Sequence, residues 1–127
     1  GAQDARRGQV YWAAFDLETH NRLTPDAAAP VASLQEFVQN CKKPLFFVGD
    51  GAALCYNVYE QVPGVAGCPS ALQVLRGVGV ALAAKVLWES GACVPPAELL
   101  PDYHRLSQAE RERAEKEKQQ GEPTNAI

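Results

Sequence analysis

The sequence predicts an α/β fold in which one mixed β-sheet carries flanking helices, and three observations predict it. The stretch DARRGQVYWAAFD, Asp4 to Asp16, alternates Val10, Trp12 and Ala14 with Tyr11, Ala13 and Phe15 behind a glycine turn, the period of a strand. The stretch PLFFVGDGA, Pro44 to Ala52, is a short apolar run closed by glycines. Helical spacing resumes directly after it in AALCYNVYEQV, so an antiparallel opening is followed by strand–helix alternation.

In chain order, Arg7-Gly8 marks a tight turn because glycine accepts the positive φ that hairpins demand, and the residues before Gly8 are the end of a partner strand. The segment LETHNRLTPDAAAP has no period and contains Pro25 and Pro30, which makes it a loop with room for one short strand. After Pro30, Val31, Leu34, Phe37, Val38 and Cys41 share one helical face, while Ala32, Gln35, Gln39 and Lys42 fall largely on the other. Leu45 to Val48 has the character of a central strand covered on both faces. Gly49 and Gly51 then allow a sharp turn at its carboxyl end, the place where open α/β sheets hold their ligands.

The segment VPGVAGCPS is a second break, with a short strand expected around Val65. A long helix is expected from Pro69 or Ser70 to near Gly91, with Pro69 tolerated in its first turn. Its Leu72, Leu75, Val78, Val80, Leu82, Val86 and Leu87 point in more than one direction, which predicts burial on most sides. VPPAELLPDYHR carries Pro95, Pro96 and Pro101 and is expected to run extended. In SQAERERAEKEKQQ, Ser107 and Glu110 form a capping box, and pairs such as Glu112 with Lys116 favour a solvated helix. The terminal GEPTNAI is expected to be disordered.

A chain of 127 residues suits one domain, here residues 1–105, with a charged helical and disordered tail at 106–127. A net charge of -3 argues against a protein that coats nucleic acid, though not against part of an RNA-modifying assembly. Arg76, Lys85, Gly77 and Gly79 interrupt the most apolar stretch, so no membrane span is expected, and no secretory signal is visible. The four cysteines, Cys41, Cys55, Cys68 and Cys93, form no C-x-x-C pair and have only His20 and His104 as potential histidine partners. They read as small buried hydrophobes in a reduced, cytoplasmic protein and not as zinc ligands.

Three places are candidate sites. Gly49, Asp50 and Gly51 either face an anion or a nucleotide sugar with free amides and a carboxylate, or form an ordinary tight connection. Asp4, Arg6 and Arg7 either clamp a phosphate or stay wet at an exposed turn. Tyr103, His104 and Arg105 either touch a partner or RNA, or Tyr103 anchors the proline-rich segment to the sheet. No G-x-S-x-G nucleophile motif is present.

DARRGQVYWAAF, VGDGA and LLPDYHRLSQAERE, in this order and at this spacing, resemble the carboxyl-terminal half of the TsaB (YeaZ) family of bacterial proteins, over Gln3 to about Lys118. His104 departs from the family, which usually has an apolar residue there in a P-x-Y-L-R pattern. The resemblance implies an actin-like, RNase H-like lobe cut from a larger protein whose first domain precedes it, which would explain a chain that opens inside a hairpin. It also implies a non-catalytic scaffold that acts with a TsaD-type paralogue and a TsaE-type ATPase to make threonylcarbamoyladenosine at position 37 of tRNAs reading ANN codons. On that reading there are no catalytic residues and no metal ligands, tRNA is met indirectly, and ATP or ADP enters only in the full-length complex. The alternative is a nucleotide-hydrolysing actin-like enzyme or a glycoprotease-type peptidase. A lobe without its neighbour is expected to self-associate, or to expose an apolar patch, along the helix from Ser70 to Ser90.

Overall fold

The computed structural model describes residues 1–120, so the disorder expected of GEPTNAI lies outside the described residues. The chain is a mixed α/β molecule with small sheets and flanking helices. Strands β1 (Ala2–Asp4) and β2 (Gln9–Trp12) form the opening antiparallel hairpin, with Ala2 opposite Trp12 and Asp4 opposite Val10. Its turn sits slightly earlier than Arg7-Gly8 suggests, because Arg6, Arg7 and Gly8 all have positive φ, at 67°, 54° and 70°. The Asp4 carboxylate makes this possible for two non-glycine residues by accepting the Arg6 amide at 2.7 Å. Strand β3 (Ala27–Pro30) emerges from the aperiodic segment and pairs antiparallel with β2, which is therefore the centre of a three-stranded sheet.

A 3₁₀ turn (Val31–Leu34) leads into α1 (Gln35–Asn40), and the predicted apolar face is the buried one, with Val31, Leu34 and Val38 in the core. Helix α2 (Ala52–Tyr59) contributes Ala52, Cys55 and Tyr59 from the other side. Val10 lies at the centre, 0% exposed, with Ala2 and Phe47 beside it. Phe47 stacks on Tyr59 with ring centroids 6.1 Å apart, and Trp12 meets Phe37 at 5.4 Å. The Tyr59 hydroxyl donates to the Val31 carbonyl at 2.6 Å, so the hydroxyl that α2 carries into the core is satisfied.

Two expectations are corrected. Leu45 to Val48 is not the central strand of a single mixed sheet. Only Leu45–Phe46 (β4) forms a strand, and it pairs in parallel with Val65–Ala66 (β5), the short strand expected near Val65, in a separate two-stranded sheet. The run leaves the ladder because Phe47 turns into the core and Gly49, at φ 98°, reverses the chain. One backbone bond, from the Ala2 amide to the Val48 carbonyl at 2.8 Å, then ties the two sheets together. Phe46 is consequently exposed, where burial on both faces was expected.

The long helix is also shorter than its apolar run. Ser70–Leu72 is a 3₁₀ turn, Arg76 is extended, and α3 spans Gly77–Glu89, ending near Gly91 as expected. The break follows from the Leu72 carbonyl, which accepts the Gly49 amide at 2.8 Å and so does not start an i→i+4 ladder. No α3 side chain is buried. From Leu72 to Trp88, nine large apolar side chains are between 49% and 74% exposed, so the burial on most sides that the apolar composition predicts is not found, and the other expectation, an exposed apolar patch along this helix, is met.

Beyond a 3₁₀ turn at Pro96–Glu98, α4 (Gln108–Gln120) is capped as predicted: the Ser107 amide donates to Glu110 Oε2 at 2.8 Å and the Glu110 amide to Ser107 Oγ at 3.3 Å. These bonds from Ser107 hold the Glu110 carboxyl below its usual range.

All four thiols are free, but the burial expected of them holds for Cys55 alone: Cys41 and Cys68 are half-buried, and Cys93 is exposed. Burial pushes the Cys55 thiol up to about 11, against a small opposing pull from the Gly1 ammonium. Only the thiolate reacts. A maleimide reagent at neutral pH is therefore expected to modify Cys93 first and Cys55 only at the rate of global unfolding. Mass-spectrometric mapping that found Cys55 labelled as fast as Cys93 would contradict the buried assignment.

Candidate functional site

The Gly49–Gly51 turn lies where the sequence places it, between β4 and the first turn of α2; its two glycine amides are engaged within the molecule, while Asp50 is exposed. The Gly49 amide donates to the Leu72 carbonyl at 2.8 Å and the Gly51 amide to the Ala2 carbonyl at 3.1 Å. One Asp50 carboxylate oxygen accepts the Asp4 amide at 2.9 Å across the molecule. The glycines are there for close approach. A β-carbon on Gly49 would overlap the Ala2 carbonyl oxygen, and one on Gly51 would stand 3.1 Å from the Asp4 nitrogen and 3.1 Å from Val10 Cγ1. Strand β1 thus lies directly on the turn, which is held by Ala2 and Asp4 of that strand and by Leu72.

The hairpin arginines are exposed. The Arg6 backbone amide donates to Asp4 Oδ1 at 2.7 Å. The third candidate divides. Tyr103 does not anchor the proline-rich segment, because it stands 83% exposed. The anchor is Arg105, whose guanidinium donates to the Ala5 carbonyl in the hairpin turn, one hundred residues away in sequence. Arginine serves here because its fork reaches a carbonyl while its stem lies along the surface. His104 Nε2 lies 3.1 Å from Asp102 Oδ2.

A cluster that sequence reading missed clamps the β2–β3 loop. Asp16 Oδ1 accepts the Glu18 and Thr19 amides at 2.9 and 3.0 Å, while Lys43 Nζ donates to Asp16 Oδ2 and Glu18 Oε2, both at 2.8 Å. The Lys43 ammonium holds the Asp16 carboxyl well below the usual carboxylate range, and the two carboxylates raise Lys43. The spacing Asp16, Glu18, Thr19 is that of an aspartate-led turn and is legible locally. Lys43 is not, because it lies 27 residues from Asp16.

Beside the glycine turn lies a groove of about 730 Å³. One wall is the sheet, with Ala2, Tyr11, Trp12 and Phe15; Val48 and Gly49 form its floor; Leu72, Leu75, Val78 and Leu82 form the opposite wall. Only Gln3, Asp26 and Arg76 bring polar side chains with strong hydrogen-bonding groups to it apart from the tyrosine and the indole. The Trp12 indole N–H is buried there without a hydrogen-bond partner. Among the described residues, no three His, Cys, Asp or Glu side chains gather in a way that holds a metal ion, and no helix is long and apolar enough to cross a membrane. The arrangement offers apolar contact area and little acid–base chemistry. Compared with models of known protein families and with curated proteins, the chain matches none.

Proposed function

We propose that this chain is a non-catalytic scaffold lobe, of actin-like type, in a cytoplasmic complex that makes threonylcarbamoyladenosine at position 37 of tRNAs reading ANN codons. Its partners on this reading are a TsaD-type paralogue, which carries the transfer chemistry, and a TsaE-type ATPase. tRNA is met through the complex, and the chain itself needs no cofactor.

The observation that supports the reading is a glycine turn whose two glycine amides and one Asp50 oxygen already have partners within the chain. A phosphate or ribose at Gly49, Asp50 and Gly51 would have to displace the bonds to Leu72, Ala2 and Asp4. Each such bond contributes about 0.5–1.5 kcal/mol net, and breaking them also opens the seam between β1 and α2. A turn engaged in this way is a strut between elements. Function then lies in the surfaces that the strut holds in place, and the resemblance of VGDGA and LLPDYHRLSQAERE to TsaB proteins supplies the kind of complex.

The test has two arms. The purified chain is expected to give no ATP turnover above a buffer blank, no cleavage of glycoproteins, and no heat on titration with ATP or ADP, with Asp50→Ala indistinguishable from the parent in all three. Turnover that disappears in Asp50→Ala would replace the scaffold with the nucleotide-hydrolysing alternative. If the reading holds, the chain in its full-length TsaB-type context is expected to co-purify with TsaD-type and TsaE-type partners, and failure of both to associate would remove the assembly.

A further inference from the structure

Three arginines from opposite ends of the chain meet at one corner of the molecule. The Arg105 guanidinium donates through Nη1 to the Ala5 carbonyl, and Arg6 and Arg7 are the next two residues of that hairpin turn. Arg6 and Arg7 are exposed and Arg105 is half-buried. Among the described residues neither turn arginine has a side-chain hydrogen bond or an ion pair, whereas Arg22, Lys43 and Lys85 each pair with a carboxylate.

We propose that Arg6, Arg7 and Arg105 form one phosphate-binding site, in which Arg105 is the fixed point and the two turn arginines close over the anion from the solvent side.

Three features point to a phosphate. The first is an unused hydrogen-bonding edge. Because Nη1 is taken by Ala5, Arg105 keeps its Nε–Nη2 edge, and its Nε is buried without a partner. That edge presents two parallel N–H groups, the fork that grips phosphate or carboxylate oxygens in pairs. Buried donors are rarely left unpaired, so an orphaned N–H on a cation held in place calls for an acceptor.

The second feature is the identity of the turn residues. Arg6 and Arg7 hold φ of 67° and 54°, a conformation that glycine and asparagine adopt more readily. Two arginines are poorly suited to the turn itself, and strain of this kind collects where side chains bind ligands.

The third feature is charge. Two carboxylates border the corner, since Asp4 Oδ1 accepts the Arg6 amide and Asp50 Oδ1 accepts the Asp4 amide. Three guanidinium groups against two carboxylates leave a positive excess in a chain whose net charge is -3. An anion is therefore drawn here, and a phosphate offers more oxygens to three forks than the two of a carboxylate. A free diphosphate and the backbone of an RNA strand both carry this chemistry. The inference is independent of the scaffold reading, since it rests on neither the glycine amides nor the groove.

The test titrates the 127-residue chain at low ionic strength with two probes, inorganic pyrophosphate by calorimetry and a labelled single-stranded oligoribonucleotide by fluorescence anisotropy. The parent is compared with the double variant Arg6→Asn with Arg7→Asn, which removes both charges but keeps residues that tolerate positive φ. It is also compared with Arg105→Gln and with Lys85→Gln, a loss of charge on α3. Circular dichroism checks that each variant keeps the parent's fold. The parent is expected to bind at least one probe. The double variant and Arg105→Gln are each expected to weaken that binding about tenfold or more, the loss that follows from one charged hydrogen bond, and Lys85→Gln by less than about twofold. Binding of pyrophosphate alone assigns a free phosphate. Binding of the oligonucleotide with a log–log salt slope of about -2, falling to about -0.7 in the double variant, assigns a strand. A parent that binds neither probe overturns the proposal. So does binding that either arginine variant leaves intact, or that Lys85→Gln weakens as much, which would make it an effect of net charge.

Discussion

Replacing Gly49 with alanine is expected to destabilise the chain by about 3–4 kcal/mol, a large fraction of the 5–15 kcal/mol that holds a typical domain together. Two independent effects combine. At φ 98° an L-residue is strained, at a cost of about 1–2 kcal/mol or more. The new β-carbon would also overlap the Ala2 carbonyl oxygen, a backbone atom that cannot rotate away. To relieve the overlap, β1 has to lift, and lifting it breaks the bonds from Ala2 to Val48 and from Gly51 to Ala2. Gly51→Ala is the control. Gly51 has φ -86°, which any residue adopts, and its contacts at 3.1 Å call for shifts of a few tenths of an ångström, so its cost is expected to be about half as large or less. Urea melts of both variants measure the difference. If Gly49→Ala costs less than about 1 kcal/mol, or less than Gly51→Ala, β1 does not lie on the turn as described.

Truncating Tyr59 to alanine is expected to cost about 3–5 kcal/mol, because the ring fills the space between α2, Phe47 and Val31 and the remaining core has little room to collapse. Tyr59→Phe separates the ring from the hydroxyl. It keeps the stacking and removes only the 2.6 Å bond, leaving the Val31 carbonyl unpaired in a buried place, at a cost of about 1–3 kcal/mol. The two variants are expected to fall in that order at an unchanged denaturant slope, since neither alters how much surface unfolding exposes. A neutral Tyr59→Phe would mean that water reaches the Val31 carbonyl, and the seal between the Val31–Leu34 turn and α2 would have to be redrawn.

Both predictions rest on contacts between residues far apart in the chain, Gly49 with Ala2 and Tyr59 with Phe47 and Val31, which local sequence pattern does not show. The hairpin, the loop strand, the apolar face of α1, the start of α2 and the Ser107–Glu110 cap follow from residues within a few positions of one another. Apolar periodicity found the face of α1 because a face is a local property. It misjudged Leu45 to Val48 and the start of α3 because there the outcome depended on distant groups. The Leu72 carbonyl went to Gly49 and not to the next helical turn, and Phe47 left the strand to meet Tyr59. Arg105 and Lys43 could not be placed from sequence for the same reason: Ala5 and Asp16 are far from them along the chain.

The sequence by itself determined where the chain turns, which segments become helical, and that a glycine pair would stand between a strand and a helix. Each of these is decided by backbone sterics and side-chain spacing over a few residues, before any distant contact forms. Only the tertiary structure decided what the glycine amides hold, which strand β4 pairs with, and that both sides of α3 lack a cover among the described residues. A backbone N–H and an apolar stripe each specify that a partner is needed without specifying which one. That choice is made when the chain closes loops, and it goes to whichever carbonyl or side chain the other elements bring within reach.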